Sequence, residues 1–144
     1  MKATSQIPAA LGGNVNTWIV IFCDGPGGRR WWHWLFKPGF RHCFALGWDG
    51  RCWLQVDGLS NILDVRSFAD VEMRVVMALL REAGAAAIAV DRRVVSRGIF
   101  RGPLYCVPTV KHLLGVRACA LTPWQLYRAL RRRGGRPVDL GEWT

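Results

Sequence analysis

Short apolar runs, separated by glycine, proline and charged residues, divide the chain into elements of different type. Residues 18–23 form a continuous apolar run rich in β-branched side chains, which is typical of a buried strand. Residues 40–48 and 51–57 have the pattern of two strands, and the dipeptide Asp49-Gly50 between them favours a two-residue type I′ turn. The pattern therefore predicts a β-hairpin, with a further short strand at 62–65.

The middle of the chain indicates a helix followed by a strand. Ser67 and Asp70 have the spacing of an S-x-x-D helix start, and Gly84 is placed to end the helix. Residues 85–90 are predicted to be a buried strand, and residues 91–103 a basic loop. The side chains of this helix that are predicted to face the core are Val76, Leu79, Leu80 and Ala83.

Two further helices are indicated near the end of the chain. Residues 106–114 are bounded by Pro108 in the first turn and Gly115 just past the end. After a predicted strand at 116–121, Thr122, Pro123 and Gln125 form a strong helix start for a helix that runs to about residue 133. Strands first and helices later predict an α+β fold with an antiparallel sheet. We expect an N-terminal arm over 1–14 and one domain over 15–144.

Composition excludes several classes of protein. The chain has 144 residues, of which 51% are hydrophobic and 21% charged, so it can bury a full core and is neither largely disordered nor a coiled coil. Its formal net charge is +10, and nearly all of the positive charge is arginine. This charge predicts attraction to anionic partners such as nucleic acid, anionic lipid or an acidic protein surface.

The same composition bears on compartment and cofactors. No apolar run approaches the ~20 residues that a membrane span needs, and the first residues lack the apolar stretch of a secretory signal. The five cysteines are odd in number and none forms a C-x-x-C pair, which argues against a disulfide framework or a structural zinc site. We therefore expect no metal, no cofactor and no membrane span, and a protein made in the cytoplasm and kept there or incorporated in a virion.

The predicted hairpin brings two chemically useful side chains together. With a two-residue turn, His42 lies directly opposite Asp57 on the same face of the sheet. A carboxylate in that position accepts a hydrogen bond from the imidazole, fixes its tautomer and raises its pKa. This pair has the chemistry of the base and its orienting group in a catalytic triad. A purely structural hydrogen bond between the two is the alternative interpretation.

Cys106 is the strongest candidate for a nucleophile. It begins a predicted helix, where free N–H groups and the helix dipole stabilise a thiolate. On that helix it shares a stripe with Val110 and Leu114, which predicts that it points towards the strands. The alternative is a small core residue, and that is the interpretation we give to the other cysteines: Cys23, Cys43, Cys52 and Cys119.

The order of a histidine, an acid on the adjacent strand and a cysteine on a later helix resembles that of the circularly permuted papain-like (NlpC/P60-type) cysteine hydrolases. The segments that carry the resemblance are 38–46, 53–57 and 103–115, and the order of the elements up to 127 is also similar to small proteins of tailed-phage and phage-like gene clusters. The resemblance implies that Cys106 attacks a carbonyl, His42 is the base and Asp57 orients it. It implies a hydrolase of an amide-type bond in a peptide or peptidoglycan.

An unusual loop combines Arg29 and Arg30 with Trp31, Trp32 and Trp34. Three interpretations are open: stacking on nucleobases or sugars, docking to another protein, or a lid over the core. Docking or a lid is favoured, because so many tryptophans beside glycine and proline are difficult to solvate. Besides the hydrolase, the sequence thus allows two other functions. One is a non-catalytic virion or tail component with other virion or assembly proteins as partners, and the other is a non-specific nucleic-acid binder.

Overall fold

The computed structural model describes residues 16–25, 34–93 and 103–143. In this part of the chain three helices accompany one antiparallel sheet of six strands in the order β4-β3-β2-β1-β5-β6. The strands are β1 (Thr17–Cys23), β2 (His42–Trp48), β3 (Trp53–Leu59), β4 (Ile62–Phe68), β5 (Ala86–Asp91) and β6 (Arg136–Pro137). The helices are α1 (Asp70–Glu82), α2 (Cys106–Leu114) and α3 (Pro123–Arg132), with a short 3-10 helix at Leu140–Trp143. The predicted α+β class is confirmed.

Helices cover both faces of the sheet, and each face has its own apolar cluster. Helices α2 and α3 pack on one face against Val20, Phe22 and Cys43, and α1 packs on the other against Ile19 and Ile21. A strand that is covered on both sides buries every side chain, so an uninterrupted apolar run is favoured over alternation. This explains the apolar sequence of β1, in which residues 19–22 are fully buried.

The hairpin between β2 and β3 has a longer connection than the sequence predicts. Trp48 pairs with Trp53, so four residues, 49–52, connect the strands where we predicted two. The carboxylate of Asp49 explains the difference, because its Oδ1 accepts the N–H groups of Arg51 at 2.7 Å and Cys52 at 2.8 Å. The side chain thereby stabilises the wider turn.

The wider turn changes the register of the hairpin by two residues. In this register, which pairs Ala45 with Val56, Asp57 is diagonal to His42, and the prediction that the two lie directly opposite is wrong. Side chains on a strand alternate with a period of two, so a shift of two residues keeps each of them on its predicted face. The predicted proximity therefore survives the error in register.

Helix α1 begins later than predicted, and two of its four predicted core residues are exposed instead. Ser67 belongs to β4, and the helix is preceded by Ala69, whose N–H donates to the Glu72 carboxylate at 2.9 Å. Met73 and Met77 are the fully buried side chains of the helix, whereas Leu79 is 59% exposed. Val76 and Leu80 pack against the core as predicted, whereas the prediction is wrong for Leu79 and Ala83, which lie on the solvent side of the helix.

The two later helices agree with the prediction, and the strand between them does not. Helix α2 ends at Gly115, which has the left-handed φ of 67°, and the Thr122 hydroxyl at the start of α3 accepts the N–H of Gln125 at 3.3 Å. Residues 116–121 form no strand, and Cys119 within them is exposed, so its assignment to the core is wrong. The place beside β5 is occupied by β6, which is only two residues long. The predicted arm at 1–14 lies outside the described residues.

Strand β4 forms one edge of the sheet in the part of the chain that is described. It exposes Ile62, Leu63 and Val65, each more than half accessible to solvent. Asp64 lies between Leu63 and Val65, and its carboxylate accepts the Arg66 Nε–H at 2.8 Å. Across the described ranges, no helix combines the length and the apolar character needed to cross a membrane.

Candidate active site

His42 and Asp57 form a close pair at one end of the sheet. The His42 Nε2 donates to Asp57 Oδ2 at 3.0 Å and lies 2.9 Å from Oδ1, and both side chains are largely buried. The pairing of β2 with β3 begins only at Ala45 and Val56, so both residues lie beyond the last paired positions. A carboxylate held this close fixes the imidazole ring and favours its protonated form.

Cys106 is the first residue of α2 and lies next to His42 of this pair. Its sulfur is close enough to the His42 side chain and to the Cys43 thiol for both to act on its pKa, and only 8% of the residue is exposed. Since Asp57 occupies Nε2 of the imidazole, Nδ1 is the ring nitrogen left for the sulfur. The structure thus brings together the three residues for which the sequence predicted a joint role.

The surroundings of Cys106 favour its thiolate. The hydrogen bond from the Cys43 thiol is the largest influence that lowers its pKa; burial opposes it, and the hydrogen bond and positive charge of His42 lower it further. Together they lower the pKa of Cys106 from 9.0 to about 5. The position at the first turn of a helix favours the anion in the same sense.

The same contacts hold a proton on His42. Burial by itself favours the neutral ring, but it is outweighed by the hydrogen bonds to Asp57 and Cys106 and by the negative charges of both. Together, these hydrogen bonds and charges raise the pKa of His42 from 6.5 to about 9. Between about pH 5 and pH 9 the site therefore holds a thiolate beside an imidazolium.

Cys43 is a member of this site that the sequence analysis assigned to the core. Complete burial raises the pKa of its thiol well above 9.0, so it remains protonated and donates to Cys106. Burial also raises the pKa of Cys23, which pairs with His42 across β1 and β2. Nothing in the local pattern distinguishes Cys43 from an ordinary strand residue, because its role depends on a helix that begins 63 residues further along the chain.

The start of α2 is held against β3 by direct backbone packing. A Cβ atom at Gly58 would lie 2.1 Å from the Thr109 Oγ1 and 2.6 Å from the Tyr105 carbonyl oxygen. The Thr109 hydroxyl donates to that same carbonyl at 2.8 Å, and the Asn61 N–H donates to the Leu104 carbonyl at 2.8 Å. These contacts fix Cys106 relative to the residue next to Gly58, which is Asp57.

We expect Gly58→Ala to destabilise the protein by about 1–3 kcal/mol, the usual cost of overpacking a core. Urea denaturation measures the free energy of unfolding. Thr109→Ala removes the nearest clashing atom, so the double variant should lose less stability than the two single variants added together. A Gly58→Ala variant as stable as the wild type would contradict the close packing of β3 on α2.

The segment that precedes His42 is anchored to α3. The Lys37 Nζ lies 3.4 Å from the centre of the Trp124 ring, and Phe40 packs edge-on against Trp124 and Tyr127. A cation over an aromatic face and edge-to-face ring pairs are both attractive arrangements. They keep the chain leading into β2 in a defined position.

The residues predicted to form a binding loop are mostly outside the described part of the chain. This applies to Arg29, Arg30, Trp31 and Trp32. Trp34 is described and is 76% exposed, and its neighbour Leu35 is 60% exposed. The structure therefore places one member of the predicted loop at the surface, and the binding role of the loop stays a prediction.

Within the described ranges, no group of three or more histidine, cysteine or acidic side chains has an arrangement that could hold a metal ion. Comparison with known proteins gives no match: no family model, curated protein or solved structure is significantly similar to the chain.

Proposed function

We propose that the chain is a cysteine hydrolase with a permuted papain-like arrangement, acting on an amide-type bond. The observation that carries the proposal is the contact of the Cys106 sulfur with His42, whose other ring nitrogen is held by Asp57. Burying a thiolate next to an imidazolium costs desolvation free energy, and a core whose only role is packing has no need of such a pair. The same arrangement is well suited to nucleophilic attack followed by proton transfer.

The steps follow from the placement of the three side chains. The Cys106 thiolate attacks the carbonyl carbon, and the oxyanion that forms is stabilised by the N–H of Cys106 at the start of α2. His42 gives its proton to the leaving nitrogen as the C–N bond breaks, which leaves a thioester and an amine. A water molecule then loses a proton to His42 and attacks the thioester. This releases a carboxylic acid and restores the thiolate–imidazolium pair.

Asp57 acts through His42 in this scheme and does not touch the substrate. Its carboxylate holds the imidazole so that Nδ1 faces the sulfur, and its charge stabilises the imidazolium. The resemblance of the sequence to NlpC/P60-type hydrolases favours a peptide or peptidoglycan substrate.

The experiment that tests the proposal is incubation with purified peptidoglycan and with a peptide library, followed by detection of newly formed amino groups. We expect product with the wild type and none with Cys106→Ala. Cys119→Ala is the matched control, because it removes an exposed cysteine that lies outside the site. An acid quench should also trap a thioester on the Cys106 peptide. Equal product from wild type and Cys106→Ala would refute the proposal.

A non-catalytic virion or tail component is the second candidate, favoured by the exposed Trp34 and Leu35 side by side. Large exposed apolar side chains next to basic residues are typical of docking surfaces. The test is copurification with a phage assembly. Loss of copurification in Trp34→Ala, with full retention in Cys106→Ala, would support this role over the enzymatic one.

A further inference from the structure

A small cavity lies at the end of the sheet opposite to Cys106. Its volume is about 190 Å³, and it is bounded by the end of β5 and the C-terminal end of α3. Thr17, at one end of β1, pairs with Asp91 beside the cavity, while Cys23, at the other end, pairs with His42. From Thr17 to Cys23 the strand advances by six residue steps, which separates the cavity from His42 by ~20 Å. The cavity is therefore independent of the proposed active site.

The charges around the cavity are strongly unbalanced. Four arginines line it, namely Arg92, Arg93, Arg133 and Arg136, against one acid, Asp91. The Asp91 carboxylate already accepts the Thr17 hydroxyl at 2.7 Å and lies 3.5 Å from the Arg136 Nη1. Three positive charges remain in excess around a small volume, all of them on solvent-exposed arginines, and like charges repel. A bound anion would relieve this repulsion.

Two of the four exposed arginines are anchored by backbone carbonyls. The Arg92 Nε donates to the Leu113 carbonyl at 2.9 Å, and the Arg133 Nη2 donates to the Arg117 carbonyl. A guanidinium has five N–H donors, so each keeps several for another acceptor. The Arg93 guanidinium forms no hydrogen bond or ion pair within the described ranges. The cavity thus combines two anchored guanidinium groups with a third whose donors are unused within the described ranges.

We propose that this cavity binds a phosphate group. Several guanidinium groups suit a tetrahedral oxyanion, because each can offer two parallel N–H donors to a pair of oxygens. An excess of three charges favours a dianion over a single carboxylate. The volume is small beside the ~300–1,000 Å³ of ordinary small-molecule pockets, so a compact phosphate fits it better than a nucleobase. The C-terminal end of α3 disfavours anions, so the arginine side chains have to outweigh the helix dipole at this place.

The test is isothermal titration calorimetry of the full chain with inorganic phosphate, in a chloride buffer of constant ionic strength. We expect saturable binding by the wild type and about tenfold or weaker binding by Arg93→Gln, which loses charge-assisted hydrogen bonds. Arg128→Gln is the matched control, since it removes the same charge from an exposed site on α3 outside the cavity lining. Cys106→Ala should bind phosphate like the wild type, which separates this result from that of the hydrolase test.

A second arm replaces inorganic phosphate by a nucleoside monophosphate. Tighter binding of the free ion assigns the site to phosphate itself, and tighter binding of the ester assigns it to a phosphorylated metabolite; either supports the proposal. Binding of phosphate no stronger than that of chloride would overturn it. Equal losses in Arg93→Gln and Arg128→Gln would also overturn it, because they indicate a diffuse basic surface of the kind that binds nucleic acid or anionic vesicles.

Discussion

Cys106 is expected to react with iodoacetamide as a thiolate at pH 6, with the midpoint of its pH–rate profile at about pH 5. The physical reason is that the Cys43 thiol and the His42 imidazolium both donate to the sulfur and so stabilise its anion. At pH 6 a thiol with a pKa of 5 is about 90% ionised, whereas one with the ordinary pKa of about 8.5 is about 0.3% ionised. Peptide mass spectrometry of the alkylated protein gives the rate for each cysteine.

The rate of each cysteine has to be expressed as a fraction of its own plateau at high pH. A thiolate of low pKa is intrinsically a weaker nucleophile, and Cys106 is largely buried, so absolute rates mix ionisation with reactivity and access. On this normalised scale, the alkylation rate at pH 6 of a thiol with a pKa of 5 is about 300 times that of a thiol with the ordinary pKa. Cys119, which is exposed and outside the site, provides the comparison on the same molecule.

Removal of the imidazole tests the origin of this behaviour. His42→Ala takes away a hydrogen bond and a positive charge, so the midpoint for Cys106 should rise towards the ordinary thiol value. Because that variant leaves the buried Asp57 without its partner, His42→Gln is the companion variant that keeps a neutral side chain in the space. If Cys106 and Cys119 share one normalised profile in the wild type, the site has no activated thiol and the hydrolase proposal loses its basis.

The second large effect is expected at Cys43, which the sequence pattern assigns to the core. Cys43→Ala removes the donor that contributes most to the low pKa of Cys106. A hydrogen bond to a charged group is worth about 1.5–3 kcal/mol, so the midpoint of the Cys106 profile should rise by about one to two pH units. The measurement is the same alkylation profile, read on the Cys106 peptide.

Cys43→Ser is the matched control for this prediction. A serine hydroxyl is smaller than the thiol but still donates a hydrogen bond, so the midpoint should stay closer to that of the wild type. Both variants lose a buried sulfur, and a change in packing alone would move them together. Equal midpoints in Cys43→Ala and the wild type would show that the thiol does not donate to Cys106.

The parts of the fold that the sequence predicts correctly are those with local chemical markers. Helix α2 starts at Cys106 and ends before Gly115, whose left-handed backbone is most easily adopted by glycine, and α3 starts at the Thr122 cap. Markers of this kind depend only on neighbours within one turn. They therefore survive in the folded protein whatever the rest of the chain does.

The errors occur where tertiary neighbours decide the structure. The Asp49-Gly50 pair marks the hairpin correctly, but the Asp49 side chain chooses a four-residue connection over a two-residue one. Residues 116–121 have a strand-like composition, yet they form no strand, and β6 takes the place beside β5. A sequence pattern records the preference of a segment and not whether a pairing position is available.

The candidate site also has one part that local sequence markers predict and another part that tertiary packing decides. His42, Asp57 and Cys106 can be singled out in advance because each lies at a position with a recognisable chemical consequence, a hairpin neighbour or a helix start. The hydrogen bond from Cys43 and the close approach at Gly58 depend on how α2 packs on β2 and β3. No local pattern contains that information.

The apolar edge strand β4 has a practical consequence for handling the protein. In the part of the chain that is described, β4 is an edge strand, and backbone groups on such an edge can pair with another polypeptide; the exposed Ile62, Leu63 and Val65 side chains favour this association. The acid–base couple of Asp64 and Arg66 is the main local obstacle, and concentrated salt screens it. Stock solutions are therefore best kept dilute and low in salt, and a Val65→Lys variant offers a more tractable sample for crystallisation.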